Sequence, residues 1–88
     1  MFYLYILESI ETKRFYVGST NDLKRRIKEH NAGKNRSTKF YMPWRLIYYE
    51  AYITMDLARK AEIFYKKSQG RRQIKKKLNI DIIDSEEK

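Results

Sequence analysis

The chain has 88 residues, of which 42% are hydrophobic; eight are tyrosine and none is cysteine. That length allows one domain around one modest core. The composition excludes a disordered basic tail, disulfides and thiolate metal sites. A formal net charge of +9 points to a polyanionic partner, most simply nucleic acid.

The charge is unevenly spread. Residues 1–80 carry 19 Lys and Arg against 7 Asp and Glu, whereas residues 81–88 carry one against four. A solvated surface kept basic for solubility needs no such excess. We expect one folded domain over residues 1–80 and a partly disordered acidic tail over 81–88. The missing cysteines suit a reducing cytoplasm, the expected location. The apolar start MFYLYILES lacks a basic leader and falls short of the roughly 18 residues a span requires, so no membrane partner is expected.

Phe2 to Glu8 is rich in aromatic and β-branched residues and reads as a strand. SIETK (Ser9–Lys13) suits a hairpin turn, and Arg14 to Val17 returns antiparallel. Gly18 is expected to end that strand, since glycine tolerates turn geometry. Thr20, Asn21 and Asp22 can each cap a helix running from about Asn21 to Asn31, stopped by Ala32-Gly33. Lys34 to Met42 is a basic loop without a clear period, and Pro43 forbids a helix there. Trp44 to Ile53 reads as a third strand. A second helix starts at Thr54 or Asp56, with Leu57, Ala61, Phe64 and Tyr65 as its inward stripe. Ser68-Gln69-Gly70 is expected to break it before a last helix, Arg71 to Leu78, with Ile74 and Leu78 inward. Ile80, Ile82 and Ile83 can pack, while Ser85 to Lys88 should fray. The order ββαβαα implies an α/β fold, a small three-stranded antiparallel sheet flanked by helices.

Tyr5 and Tyr16 fall on the paired strands and can be neighbours on one sheet face. A phenol among cations loses its proton more easily, although most strand aromatics simply pack. Arg26 and His30 lie at i and i+4 beside the apolar Leu23 and Ile27, so they share one helix edge. Arg26 can grip a phosphate with two N–H groups, or be a surface cation. His30 can transfer a proton near neutral pH, or merely complement the helix dipole. Glu62 borders the apolar stripe of the second helix; it can hold a divalent cation or pair with Lys66 at i+4. A single histidine leaves oxygen ligands for any metal, which means magnesium or manganese. Lys66, Lys67, Arg71, Arg72 and the Lys75–Lys77 run form a basic band that can track a phosphate backbone.

These pieces together resemble the GIY-YIG nuclease family, in its small single-domain bacterial branch, and are similar to the N-terminal nuclease domain of the DNA-repair excinucleases. The first motif is Tyr3-Leu4-Tyr5 and the second Tyr16-Val17-Gly18, eleven residues apart from tyrosine to tyrosine. GSTNDLKRRIKEHNAGK matches the branch pattern of glycine, threonine, a D-L pair, arginine and then H-N-x-G. PWRLIYYEAY followed by ARKAEIFYKK matches the later strand and the glutamate helix. Tyr3 replaces the first motif's glycine, and Ser19 stands where the excinuclease relatives have lysine. The resemblance implies an endonuclease that hydrolyses phosphodiester bonds with one Mg²⁺ or Mn²⁺, acting on DNA more than RNA. It implies Tyr5, Tyr16, Arg26, His30 and Glu62 as catalytic residues, with Glu62 the metal ligand. The base would be Tyr16, Tyr5 or His30. Contacts to nucleic acid would come from Ser19, Lys24, Arg25, Lys34, Arg36, Lys39, Lys66, Lys67, Arg71 and Arg72. The alternative is a catalytically weak nucleic-acid-binding module of the same fold, with aromatic rings that stack on single-stranded bases.

Overall fold

A computed structural model of the chain describes residues 1–79. Ile80, Ile82, Ile83 and the acidic tail over 81–88 lie outside the described residues. The elements follow the expected order. They are β1 (Phe2–Ser9), β2 (Phe15–Thr20), α1 (Leu23–Asn31), a 3-10 turn (Lys39–Tyr41), β3 (Trp44–Tyr52), α2 (Met55–Lys66) and α3 (Ser68–Leu78). The sheet is antiparallel with strand order β2-β1-β3. The hairpin closes where Ser9 N–H donates to the Arg14 carbonyl at 2.8 Å, with Lys13 left-handed at φ 64.

β1 is the central strand, which explains its unbroken apolar run. Alternate side chains go to opposite faces, and both faces are covered. Leu4, Ile6 and Val17 meet Tyr65 and Ile74 under α2 and α3. Tyr5, Leu7 and Trp44 meet Tyr16, Leu23 and Ile27 of β2 and α1, together with Tyr41 and Met42. Burying each of the larger side chains stabilises the fold by about 1.5–3 kcal/mol. Asp22 caps α1 by accepting from Arg25 N–H at 3.1 Å. Thr54 caps α2 by accepting from Leu57 N–H at 3.2 Å.

Three expectations need correction. Gly18 does not end β2 or make a turn; it sits within the strand opposite Tyr5. A β-carbon there would lie 2.5 Å from the Tyr5 hydroxyl oxygen. The residue is glycine because the Tyr5 ring lies over its backbone. Leu57 is not inward: it is 41% exposed, and Ala58, fully buried, makes the contact instead. Ser68-Gln69-Gly70 does not break the helix. The break is extended Lys67, and all three residues lie in α3. A β-carbon on Gly70 would come within 2.2 Å of the Phe64 carbonyl oxygen, so the glycine lets α3 seat against the end of α2.

Candidate active site

Tyr5, Tyr16 and His30 are gathered on the α1 face of the sheet. Pairing places Tyr5 opposite Gly18 and Leu7 opposite Tyr16, so the two phenols are diagonal neighbours, with ring centroids 6.2 Å apart. The His30 ring lies 4.9 Å from that of Tyr16. Its Nε2 is 2.8 Å from the Tyr5 hydroxyl, and its Nδ1 is 2.8 Å from Thr38 Oγ1. Thr38 Oγ1 donates to the Asn35 carbonyl at 3.5 Å. A neutral imidazole carries one N–H, so one ring nitrogen donates and the other accepts in these two bonds. Thr38 was missed in the sequence because it lies in a loop with no period to mark it.

The electrostatics follow from burial. His30 has no exposed surface. Burial, with the Arg26 charge adding to it, lowers its pKa to about 4, so it is neutral at pH 7. Tyr5, 1% exposed, is pushed up to about 12, chiefly by burial and then by Tyr16, against the pull of Arg26. Tyr16 is half-buried, and no hydrogen bond holds its hydroxyl among the described residues.

Arg26 stands near both phenols and binds Glu29 Oε1 at 2.8 Å. Sequence reasoning overlooked Glu29. Neighbouring Arg25 is likewise committed, to Glu29 at 2.9 Å and to Asn21 at 3.1 Å. Its side chain stays half-exposed beside these partners.

Glu62 comes from the other side. Leu4 pairs with Ser19, so Ser19 faces α2, where its hydroxyl donates to Glu62 Oε1 at 2.6 Å. Ser19 is therefore a support for the carboxylate. Lys66 holds Oε2 at 2.8 Å. Burial alone would raise the Glu62 carboxyl, but Lys66, Ser19 and Arg59 together hold it below the ordinary range, and it is ionised at neutral pH. Glu62 makes no hydrogen bond to Tyr5, Tyr16, Arg26 or His30 among the described residues, yet its charge reaches Tyr5 and helps to raise it. Four of the five predicted residues gather on the α1 face of the sheet, and the fifth, Glu62, is held on the α2 side by Ser19 and Lys66.

One carboxylate suits Mg²⁺, which keeps several waters and binds through one or two carboxylates plus substrate phosphates. Among the described residues no group of three His, Cys, Asp or Glu side chains could form an all-protein cage. Of the remaining cations, Lys24, Lys34, Arg36, Lys39, Lys66, Lys67 and Arg72 are exposed and Arg71 is half-buried. Lys39 lies over the Phe40 ring at 5.1 Å. No helix among the described residues is long and apolar enough to cross a membrane.

Comparison with known proteins agrees with this geometry. The GIY-YIG catalytic domain family matches residues 1–79. The UPF0213 protein SpyM3_1077 of Streptococcus pyogenes serotype M3 is 42% identical over 72 residues, covering 81% of this chain and 77% of that one. The UPF0213 protein SpyM50708 of serotype M5 matches equally, 42% over 72 residues with the same coverage. The solution NMR structure of the UPF0213 protein BH0048 from Bacillus halodurans is 33% identical. It has a TM-score of 0.51 and covers 84% of this chain and 82% of its own. A match running from Met1 through the end of α3, over motif tyrosines whose rings are neighbours on one sheet face, makes this chain a member of the GIY-YIG nuclease family.

Proposed function

We propose that this domain is a divalent-metal-dependent endonuclease hydrolysing phosphodiester bonds in nucleic acid, DNA before RNA. The observation that carries the reading is the pairing of Tyr5, Tyr16, His30 and Arg26 on one face with an ionised Glu62 within electrostatic reach on the α2 side. A bound Mg²⁺ or Mn²⁺ at Glu62 would supply Lewis-acid polarisation of the phosphate. Arg26 neutralises charge building on the phosphate oxygens. Its sharing with Glu29 fixes the guanidinium in place.

Access favours Tyr16 as the base: its hydroxyl would release its proton to solvent, and the phenolate oxygen would then take one from the attacking water. Tyr5 and both nitrogens of His30 are buried and committed to each other and to Thr38. They act as positioning residues: His30 holds the Tyr5 hydroxyl near Arg26. Lys24, Lys34, Arg36 and Lys39 on the α1 side, and Lys67 together with Arg71 and Arg72 of α3, supply the phosphate-backbone attraction.

The test is cleavage of single-stranded, branched and duplex substrates with Mg²⁺, Mn²⁺ or EDTA. Glu62→Ala is expected to abolish cleavage and leave binding largely intact. Equal cleavage by Glu62→Ala in magnesium would refute the mechanism. One observation favours the binding-module alternative: both Glu62 oxygens already have protein partners, Ser19 and Lys66. That reading predicts salt-dependent binding without products in any metal.

A further inference from the structure

Beside the catalytic cluster, on the same sheet face, lies an aromatic surface that the reaction above does not use. Register places Tyr5 between Gly18 of β2 and Tyr49 of β3, on one rung of the sheet. Directly opposed residues stand about 5 Å apart. The three positions differ sharply. Gly18 has no side chain, Tyr5 is buried, and Tyr49 is 52% exposed. Tyr3, the next residue on this face of β1, meets Tyr49 edge-on, with centroids 6.0 Å apart and an interplanar angle of 65°. The two rings wall an open groove of about 320 Å³, completed by Asn21, Asp22, Leu23 and Lys24.

We propose that this groove is a stacking subsite for one unpaired nucleobase adjoining the bond to be cut. The proposal rests on the hydrolase reading and specifies its substrate. A scattered exposed tyrosine needs no explanation, but four features set this one apart. Tyr3 holds the ring edge-on and leaves a broad aromatic surface for an incoming base. The volume lies at the small end of ligand pockets, about 300–1,000 Å³, as one base requires.

The third feature is the polar rim. Asn21 Oδ1 is taken by Arg25, which leaves its NH₂ group free to donate to base oxygen or nitrogen. Lys24 is exposed and can meet the attached phosphate. The fourth is Asp22, whose carboxylate caps α1 and lies 3.7 Å from Arg25 Nε. A phosphate placed in the groove would face that carboxylate, so the groove favours the uncharged base and directs the phosphate toward the rim. A base within a duplex is already stacked on both sides. The subsite therefore selects single-stranded, frayed or otherwise unpaired segments.

Binding in EDTA separates this proposal from the cleavage reading. Labelled oligothymidylate is titrated with the full chain, with Tyr49→Ala, Tyr49→Ile and Tyr49→Phe, and followed by fluorescence anisotropy. The same series is run on a wholly abasic oligomer, and a 2-aminopurine oligomer reports stacking by quenching. Stacking of one base corresponds to roughly a 5- to 100-fold affinity. Tyr49→Ala and Tyr49→Ile should each weaken oligothymidylate binding by about tenfold and lose the quenching, with Tyr49→Phe within about twofold of the parent. On the abasic oligomer all four proteins should bind alike. Unchanged oligothymidylate binding by Tyr49→Ala and Tyr49→Ile overturns the subsite, and so does an equal loss on the abasic oligomer. Neither result touches the Glu62 cleavage test, which is read from products in magnesium and fails or succeeds separately from binding in EDTA.

Discussion

Replacing Gly18 by alanine tests whether the Tyr5 phenol is held as the geometry demands. The new methyl carbon would sit 2.5 Å from the Tyr5 hydroxyl oxygen, 2.7 Å from Cζ and 3.0 Å from Cε2. Favourable carbon contacts lie near 3.5–4.0 Å, so the ring must retreat by about 1 Å. It is 1% exposed and sits between β2 and the His30 and Tyr16 rings. A shift of that size displaces the hydroxyl from its 2.8 Å bond geometry with His30. Overpacking costs about 1–3 kcal/mol, and the unmade buried bond adds about 1–3 kcal/mol. Alanine gains back about 0.5–1 kcal/mol by stiffening a strand position. The net expectation is a loss of roughly 1–5 kcal/mol, a large share of a small domain's stability. Urea unfolding followed by Trp44 fluorescence measures it. In a Tyr5→Phe background the closest clashing atom and the bond are both gone, so Gly18→Ala should cost at least about 1 kcal/mol less there. A Gly18→Ala protein within about 0.5 kcal/mol of the parent, or an equal cost in both backgrounds, refutes the argument.

Gly70→Ala should destabilise more than Gly18→Ala, because the methyl would meet Phe64 carbonyl and Tyr65 Cα backbone atoms, which cannot rotate away; the same urea titration ranks the two. His30 makes stability pH-dependent: with its pKa at about 4 in the fold against an ordinary 6.5, the unfolded chain binds the extra proton between those values. Stability is thus fully present above pH 6.5, falls as pH drops toward 4, and loses up to about 3 kcal/mol. His30→Gln should flatten that interval, leaving the carboxylates Glu50 and Glu62, whose depressed pKa values act in the same direction below about pH 4.5; urea midpoints across pH read both. Lys66→Met frees Glu62 Oε2 from a half-exposed ion pair, and a pair of that kind is worth about 0.3–1 kcal/mol. Mn²⁺ affinity, read by the loss of the free-ion EPR signal, should rise by roughly two- to fivefold; an unchanged or weaker affinity would show that Lys66 does not compete at this carboxylate.

The parts legible in the sequence were those written in periodic pattern. The aromatic run of β1, the Thr54 and Asp22 caps and the apolar stripe of α1 each follow from local rules, and the element order follows from them. What escaped depends on depth and on partners distant in sequence. Leu57 is the larger apolar residue, yet α2 lies so near the sheet that Ala58 fits at the closest point. Gly18 and Gly70 carry the two marks of a turn, glycine and a strand or helix end, but both are places where other atoms press on the backbone. Glu29 and Thr38, which tie down Arg26 and His30, sit where a salt bridge and a loop threonine look ordinary.

The division of the site between two sheet faces carries its own consequence. His30, Tyr5 and Tyr16 are set by α1 and by the rungs of β1 and β2, whereas Glu62 is set by α2 and by Ser19. Only β2 belongs to both halves, through consecutive residues: Gly18 turns to Tyr5 and Ser19 to Glu62. Because side chains alternate along a strand, a one-residue slip of β2 would exchange those roles. A slip that set Ser19 opposite Tyr5 would drive the serine side chain into that ring and put the bulkier Thr20 opposite Leu4, where the serine had met the carboxylate. The hairpin that fixes β2 against β1, closed by Ser9 and Arg14, is therefore as much a part of the active geometry as the helices that bear the charged groups. Among small folds, an edge strand that serves two faces needs its register pinned from both sides. Here the Tyr5 ring pins it on one face and the Ser19–Glu62 bond on the other.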